Sequence, residues 1–153
     1  MNTIIGRVDK ADFPELSLTN ISLKVDTGAY TSSIHCHDIN EVVIDNEKYI
    51  EFQLLDPSHL KFNNKKFKTK RYQKKSIKNS FGISEERFVV ETVIVIFGKE
   101  YPIELSLSER SDMKYPILIG RKMLSGRFIV DTSKVNLSYR LKRKNKTTKN
   151  KIK

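Results

Sequence analysis

The sequence predicts an all-β domain, and three observations carry that prediction. Apolar residues recur with a period of two far more often than with a period of 3.6. The apolar runs are short and are separated by turn signals every eight to twelve residues or so, as in a closed barrel or a sandwich. Only residues 120–124, Gly-Arg-Lys-Met-Leu, have a helical composition, and they are long enough for only a turn or two.

Residues 3–8 read as a first strand, closed by the polar 9–12 segment and Pro14. Ile21, Leu23 and Val25 alternate with Ser22 and Lys24, a half-buried strand that ends at Asp26-Thr27-Gly28. Residues 33–44 form the next candidate, turned by Asp45-Asn46 into 49–55, and Asp56-Pro57-Ser58 is a loop signal. A short strand is expected over 67–72. Residues 79–82 mark a hairpin tip whose return arm is 87–97, and Gly98-Lys99 turns the chain into 101–107. The wholly apolar 116–119 run suits a buried strand. Residues 128–131 and 135–139 are expected to close the domain as a hairpin, and 141–153 to be a basic, disordered tail.

A chain of 153 residues with 38% hydrophobic content matches one core, here residues 1–140. Residues 1–15 lack the apolar region of a signal peptide and carry Asp9, Asp12 and Glu15. No apolar run approaches the roughly 20 residues that span a bilayer. The single cysteine, Cys36, excludes an internal disulfide and fits a reducing compartment, so a soluble cytoplasmic protein without a membrane partner is expected. The net charge of +11 is concentrated in two places: nine Lys or Arg lie within 61–78 and seven within 142–153. Such runs are either solvated surface or an attraction for an acidic partner such as RNA, a ribosome or a glutamate-rich peptide.

The chemical signal is Val25-Asp26-Thr27-Gly28-Ala29. A strand delivers a carboxylate to its end, Thr27 can hydrogen-bond the loop backbone, and Gly28 allows a tight turn and a close approach. Asp-Thr-Gly alone also occurs in ordinary turns. Its context is larger. Lys24 to His35 reads Lys-Val-Asp-Thr-Gly-Ala-Tyr-Thr-Ser-Ser-Ile-His, followed by Glu86-Arg87-Phe88-Val89, Leu107 to Arg110, Met113, the block 115–124 and Gly126 to Asp131. These blocks, in this order, resemble the retropepsin-like aspartic peptidase clan. They resemble especially its bacterial and archaeal branch labelled ATP-dependent zinc proteases and associated with RimK-type ATP-grasp ligases. The resemblance covers nearly everything before the tail.

The resemblance implies a closed β-barrel with a flap hairpin and one short C-terminal helix, and a homodimer in which two Asp26 carboxylates meet on a two-fold axis. Two carboxylates about 3 Å apart cannot both ionise easily and share one proton. One then activates water while the other protonates the substrate. Asp26, Thr27 and Gly28 are the implied catalytic residues, with Ala29 beside them at the substrate. Residues 76–86 are the implied flap, with Ser80-Phe81-Gly82 at its tip, although an ordinary surface hairpin reads the same way. Arg87 and Arg110 match the bacterial branch and either bind an acidic substrate group or form salt bridges. Arg121 is the implied brace of the helix against the catalytic loop. Its usual carboxylate partner, four residues after the catalytic Asp, is replaced by Tyr30.

Phe128 to Ser133 also runs an apolar strand into Asp-Thr-Ser, but a two-motif, single-chain peptidase needs about twice this length, so Asp131 is expected to be a turn residue. His35, Cys36, His37 and His59 are the soft donors in the chain. No His-Glu-x-x-His helix or Cys-x-x-Cys pair accompanies them, and no phosphate-binding glycine loop is present, so neither a metal nor another cofactor is expected. The sequence thus points to an aspartic-peptidase-like hydrolase of peptide, possible glutamyl, amide bonds, functionally linked to a RimK-type ligase. The rival readings are a non-catalytic dimeric module for RNA or a ribosomal protein, and a zinc hydrolase using His35 and His37.

Overall fold

The computed structural model describes residues 2–55, 61–62, 64–78, 81–109 and 114–152. Eleven strands and two α-helices follow one another along these residues: β1 (Thr3–Ile5), β2 (Val8–Phe13), β3 (Leu18–Val25), β4 (Ser32–Ile44), β5 (Glu47–Leu54), β6 (Lys66–Thr69), β7 (Tyr72–Lys78), β8 (Ser84–Ile96), β9 (Lys99–Ser108), β10 (Ile117–Ile119), α1 (Arg121–Leu124), β11 (Phe128–Val130) and α2 (Leu137–Ile152). The molecule is mostly β, as the alternation of apolar and polar residues predicts.

Nine strands form one sheet in the order β10-β3-β2-β8-β9-β4-β5-β6, with β7 paired to β8. Strand β10 closes a circuit of pairings, because it lies parallel to β3 and antiparallel to β4. Ile117 and Leu118 are therefore paired on both edges, which explains why an apolar run without polar alternation sits there. Phe13, Ile21, Leu23, Ile34, Leu105 and Ile117 lie at the centre of the core inside this circuit and are fully buried.

Three expectations are corrected. Residues 9–12 are strand rather than a closing loop, because β2 pairs with β3 and buries Asp9 and Ala11. Residues 135–139 do not return as a hairpin arm. Val135 makes one bridge to Val8, β11 lies parallel to β1, and the chain then enters α2. The expected disordered tail is helical through Ile152. Asp9 explains where this helix starts: its buried carboxylate accepts the N–H groups of Ser138 (2.9 Å) and Tyr139 (3.0 Å), which no earlier turn of the helix satisfies. Ser138 accepts the N–H of Phe97 at 2.8 Å, and Lys142 reaches Asp12 at 2.8 Å and Asn20 at 2.7 Å. The first turns of α2 are thereby pinned to β2 and to the turn after β8.

The basic 61–78 segment is largely neutralised where it folds. Lys66 and Lys68 face Glu51, Lys70 faces Glu47, Arg71 faces Glu15, Lys74 faces Glu86 and Lys75 faces Glu104. Exposed ion pairs of this kind each stabilise by only ~0–1 kcal/mol, but they cancel local charge. No helix among the described residues is long and apolar enough to cross a membrane.

Candidate active site

Asp26 follows directly on β3, where the parallel neighbour β10 ends at the same level, Ile119 opposite Val25. The Asp26 N–H donates to the Ile119 carbonyl at 2.9 Å, so the loop starts from a fixed point. Within the loop, the Gly28 N–H donates to Asp26 Oδ1 at 3.1 Å and the Ala29 N–H to the Asp26 carbonyl at 3.2 Å. Asp26 is half-buried, while Thr27 and Gly28 are exposed.

Helix α1 holds the far side of this loop. The N–H groups of Arg121 and Lys122 donate to the carbonyls of Ala29 and Tyr30, each at 2.9 Å, and Arg121 Nη1 donates to the Thr27 carbonyl at 2.9 Å. Gly120 is required at the junction. A Cβ there would stand 2.6 Å from the Tyr30 carbonyl oxygen and 2.9 Å from that of Ala29, closer than any side chain tolerates. The Gly120 N–H is satisfied by Ser32 Oγ at 3.0 Å. Arg121, which lacks the family's usual carboxylate, therefore braces the loop through a backbone carbonyl and lies over the Tyr30 ring, 5.8 Å from its centroid. Tyr30 is 57% exposed.

Glu104 connects this brace to the hairpin built by β7 and β8. Its two oxygens receive Lys122 of α1 and Lys75 of β7, each at 2.9 Å. Partial burial pushes the Glu104 carboxyl up, and the hydrogen bonds from Lys122 and Lys75 outweigh it and hold it below the usual carboxylate range. Nothing in the sequence singles out Glu104, because both partners are distant in the chain.

The other sequence-predicted residues are distributed as follows. At the hairpin end, Phe81 is 86% exposed and Gly82 has φ +79°. Ser80 and Arg110 lie outside the described residues, as does His59. Arg87 sits on β8 and pairs with Glu85 at 2.7 Å. Asp131 stands in a turn: its carboxylate accepts the Ser133 hydroxyl at 2.6 Å and the Ser133 N–H at 2.9 Å, and these bonds hold it below the usual carboxylate range. His35 is buried in β4, and His37 Nδ1 contacts the Leu55 carbonyl. No group of three or more His, Cys, Asp or Glu among the described residues is placed to hold a metal ion.

Residues 4–140 match the family described as RimB-like, retropepsin-like aspartic endopeptidase RimB. Curated relatives include proteins named probable alpha-L-glutamate ligase. The one from Shewanella pealeana is 36% identical over 134 residues, covering 85% of this chain, and the one from Desulfotalea psychrophila is 37% identical over 128 residues, covering 84%. The matched segment spans only 28% of the length of each. A crystal structure of a Legionella pneumophila protein of unknown function aligns with a TM-score of 0.70 at 27% identity, covering 90% of this chain and 99% of the other.

Proposed function

Because the chain belongs to the RimB-like family of retropepsin-like aspartic endopeptidases, we propose that it hydrolyses peptide amide bonds with a pair of Asp26 carboxylates, one from each of two copies. One observation carries this reading. Asp26 is held at the end of β3 by Ile119 and backed by α1, while Thr27 and Gly28 beside it are exposed to solvent. A second copy can approach the loop there. In the pair, one carboxylate takes a proton from water as its oxygen attacks the scissile carbonyl carbon. The other, protonated, donates to the carbonyl oxygen. Collapse of the tetrahedral intermediate then breaks the C–N bond as the amine nitrogen takes a proton. The hairpin of β7 and β8 covers the substrate.

The name carried by the relatives supports a glutamyl substrate, placed on acceptor proteins by a RimK-type ATP-grasp ligase acting as a functional partner. Incubation of the purified protein with glutamylated peptides tests the reading, with products followed by mass spectrometry and the solution mass measured in parallel. Cleavage by a dimer, abolished by Asp26→Asn and indifferent to chelators, is expected. Full activity in Asp26→Asn, or in a strict monomer, overturns it.

A further inference from the structure

The charge of the chain is divided unevenly. Residues 132–153 carry nine Lys or Arg and no Asp or Glu, whereas residues 1–131 carry twenty Lys or Arg and all eighteen Asp and Glu. Of the net +11, the body therefore holds +2 and the last 22 residues hold +9. The two basic runs also fold differently. Within 61–78, six cations meet glutamates of their own chain. Helix α2 contains no acidic residue, and an ion pair of Lys142 with Asp12 ties it to the body.

Helical spacing sorts the cations of α2. Leu141 and Asn145, four apart, line a groove of about 340 Å³ together with Lys10, Ala11 and Phe97, which fixes the side of the helix that faces the sheet. Arg140, Arg143 and Lys144, at i, i+3 and i+4, share a different face, and all three are exposed. Like charges at these spacings repel one another and weaken a helix. No carboxylate side chain after Asp131 in the sequence offsets them, and a partner carrying regularly spaced negative charge would.

We infer that α2 is a docking arm for double-stranded DNA, held through the phosphates. A double helix supplies two rows of anionic oxygens, and its B-form major groove, about 12 Å wide, admits an α-helix. The sixteen residues of α2 extend about 24 Å, enough to pass several phosphates on each strand. The major groove of an RNA duplex is too deep and narrow to take such a helix. A single strand is held by aromatic platforms, and the one aromatic residue of α2, Tyr139, already lies against Lys10 and Arg143. A membrane surface takes a continuous apolar face, whereas Leu141 of α2 is turned to the groove against the sheet. The arm also stands away from Asp26. Lys142 donates to Asn20 near the start of β3, and Asp26 follows the end of that strand, about 20 Å along it. DNA on α2 leaves the Asp26 loop open, so the docking is independent of hydrolysis there.

Fluorescence anisotropy of the full chain with a short labelled DNA duplex tests this. Binding is expected at low salt and should fall roughly 10²–10³-fold between about 50 and 200 mM salt, as four or five phosphate contacts require. Replacing three cations together, Arg140→Gln, Arg143→Gln and Lys144→Gln, is expected to weaken binding at least about tenfold and to flatten the slope of log K against log salt by about 2.7. Lys66→Gln with Lys68→Gln removes cations that already face Glu51 and is expected to leave that slope unchanged. Circular dichroism checks that the variants keep α2. Should the triple variant lose it, Lys144→Gln alone is expected to flatten the slope by about 0.9. No binding at low salt, or a slope that the α2 substitutions leave untouched, overturns the inference. So does tighter binding of an RNA duplex of the same sequence, of a polyglutamate peptide or of anionic lipid vesicles.

Discussion

The guanidinium of Arg121 donates to the carbonyl oxygen of Thr27 at 2.9 Å, across 94 residues of sequence. This bond, with the N–H groups of Arg121 and Lys122 on the carbonyls of Ala29 and Tyr30, holds the backbone of the Asp26 loop to a four-residue helix. The site is thus built on backbone acceptors rather than on a carboxylate partner for the arginine.

Arg121→Ala removes one charged donor and leaves the Thr27 carbonyl to water. A loss of ~1–2 kcal/mol in stability is expected by chemical denaturation. The loss in peptide cleavage should exceed what unfolding accounts for. A variant as active and as stable as the unaltered protein would show that the brace is dispensable.

Gly120→Ala should act through packing rather than through a lost hydrogen bond. Its new methyl group would press on two backbone oxygens, so the loop or α1 must shift. A cost of roughly 1–3 kcal/mol is expected, read as a lower denaturation midpoint, together with loss of cleavage. Unchanged thermal stability would contradict the packing described for this junction.

Asp9→Ala strands the first amides of α2. Asp9 is only 1% exposed and accepts three N–H groups, from Lys10, Ser138 and Tyr139. Destabilisation of ~1–3 kcal/mol and a drop in helical circular dichroism at 222 nm are expected. Asp9→Asn, which keeps an acceptor oxygen, should recover part of both.

Burial pushes the Cys36 thiol up to about 12 from 9.0. The folded state therefore holds this proton more tightly than the unfolded state. What the group contributes to stability is intact below pH 9.0 and is lost as pH rises toward about 12, at up to ~1.4 kcal/mol per pH unit. Denaturation midpoints across this window, compared with Cys36→Ala, check the sign. In native protein at pH 8 the thiol should react with Ellman's reagent only as fast as the fold opens.

The parts of the fold legible in the sequence are those set by local pattern. Leu23 and Val25 bury one face of β3 and deliver Asp26 to its end, and the apolar 117–119 run is the doubly bonded β10. Gly120 marks the place where two backbones nearly touch. What stayed hidden depends on partners far away in the chain. Asp9 looks like a turn residue until Ser138 and Tyr139 arrive to use it. Val135, Leu137 and Tyr139 alternate as a strand would, yet Asp9 caps the chain there and commits it to helix. The basic residues of 61–78 look like an exposed cationic patch, but Glu47, Glu51, Glu86 and Glu104 from other strands, and Glu15 from the turn after β2, meet six of them.

The double pairing of β10 has a consequence for how the protein is born. Strands β3 and β4 leave the ribosome before the segment that ties both of them together and that gives Asp26 its anchor at Ile119, which is made some ninety residues later. Until then the acid hangs on an untethered loop. A polypeptide that stops short of β10 accordingly lacks the backbone anchor that fixes where the Asp26 carboxylate points.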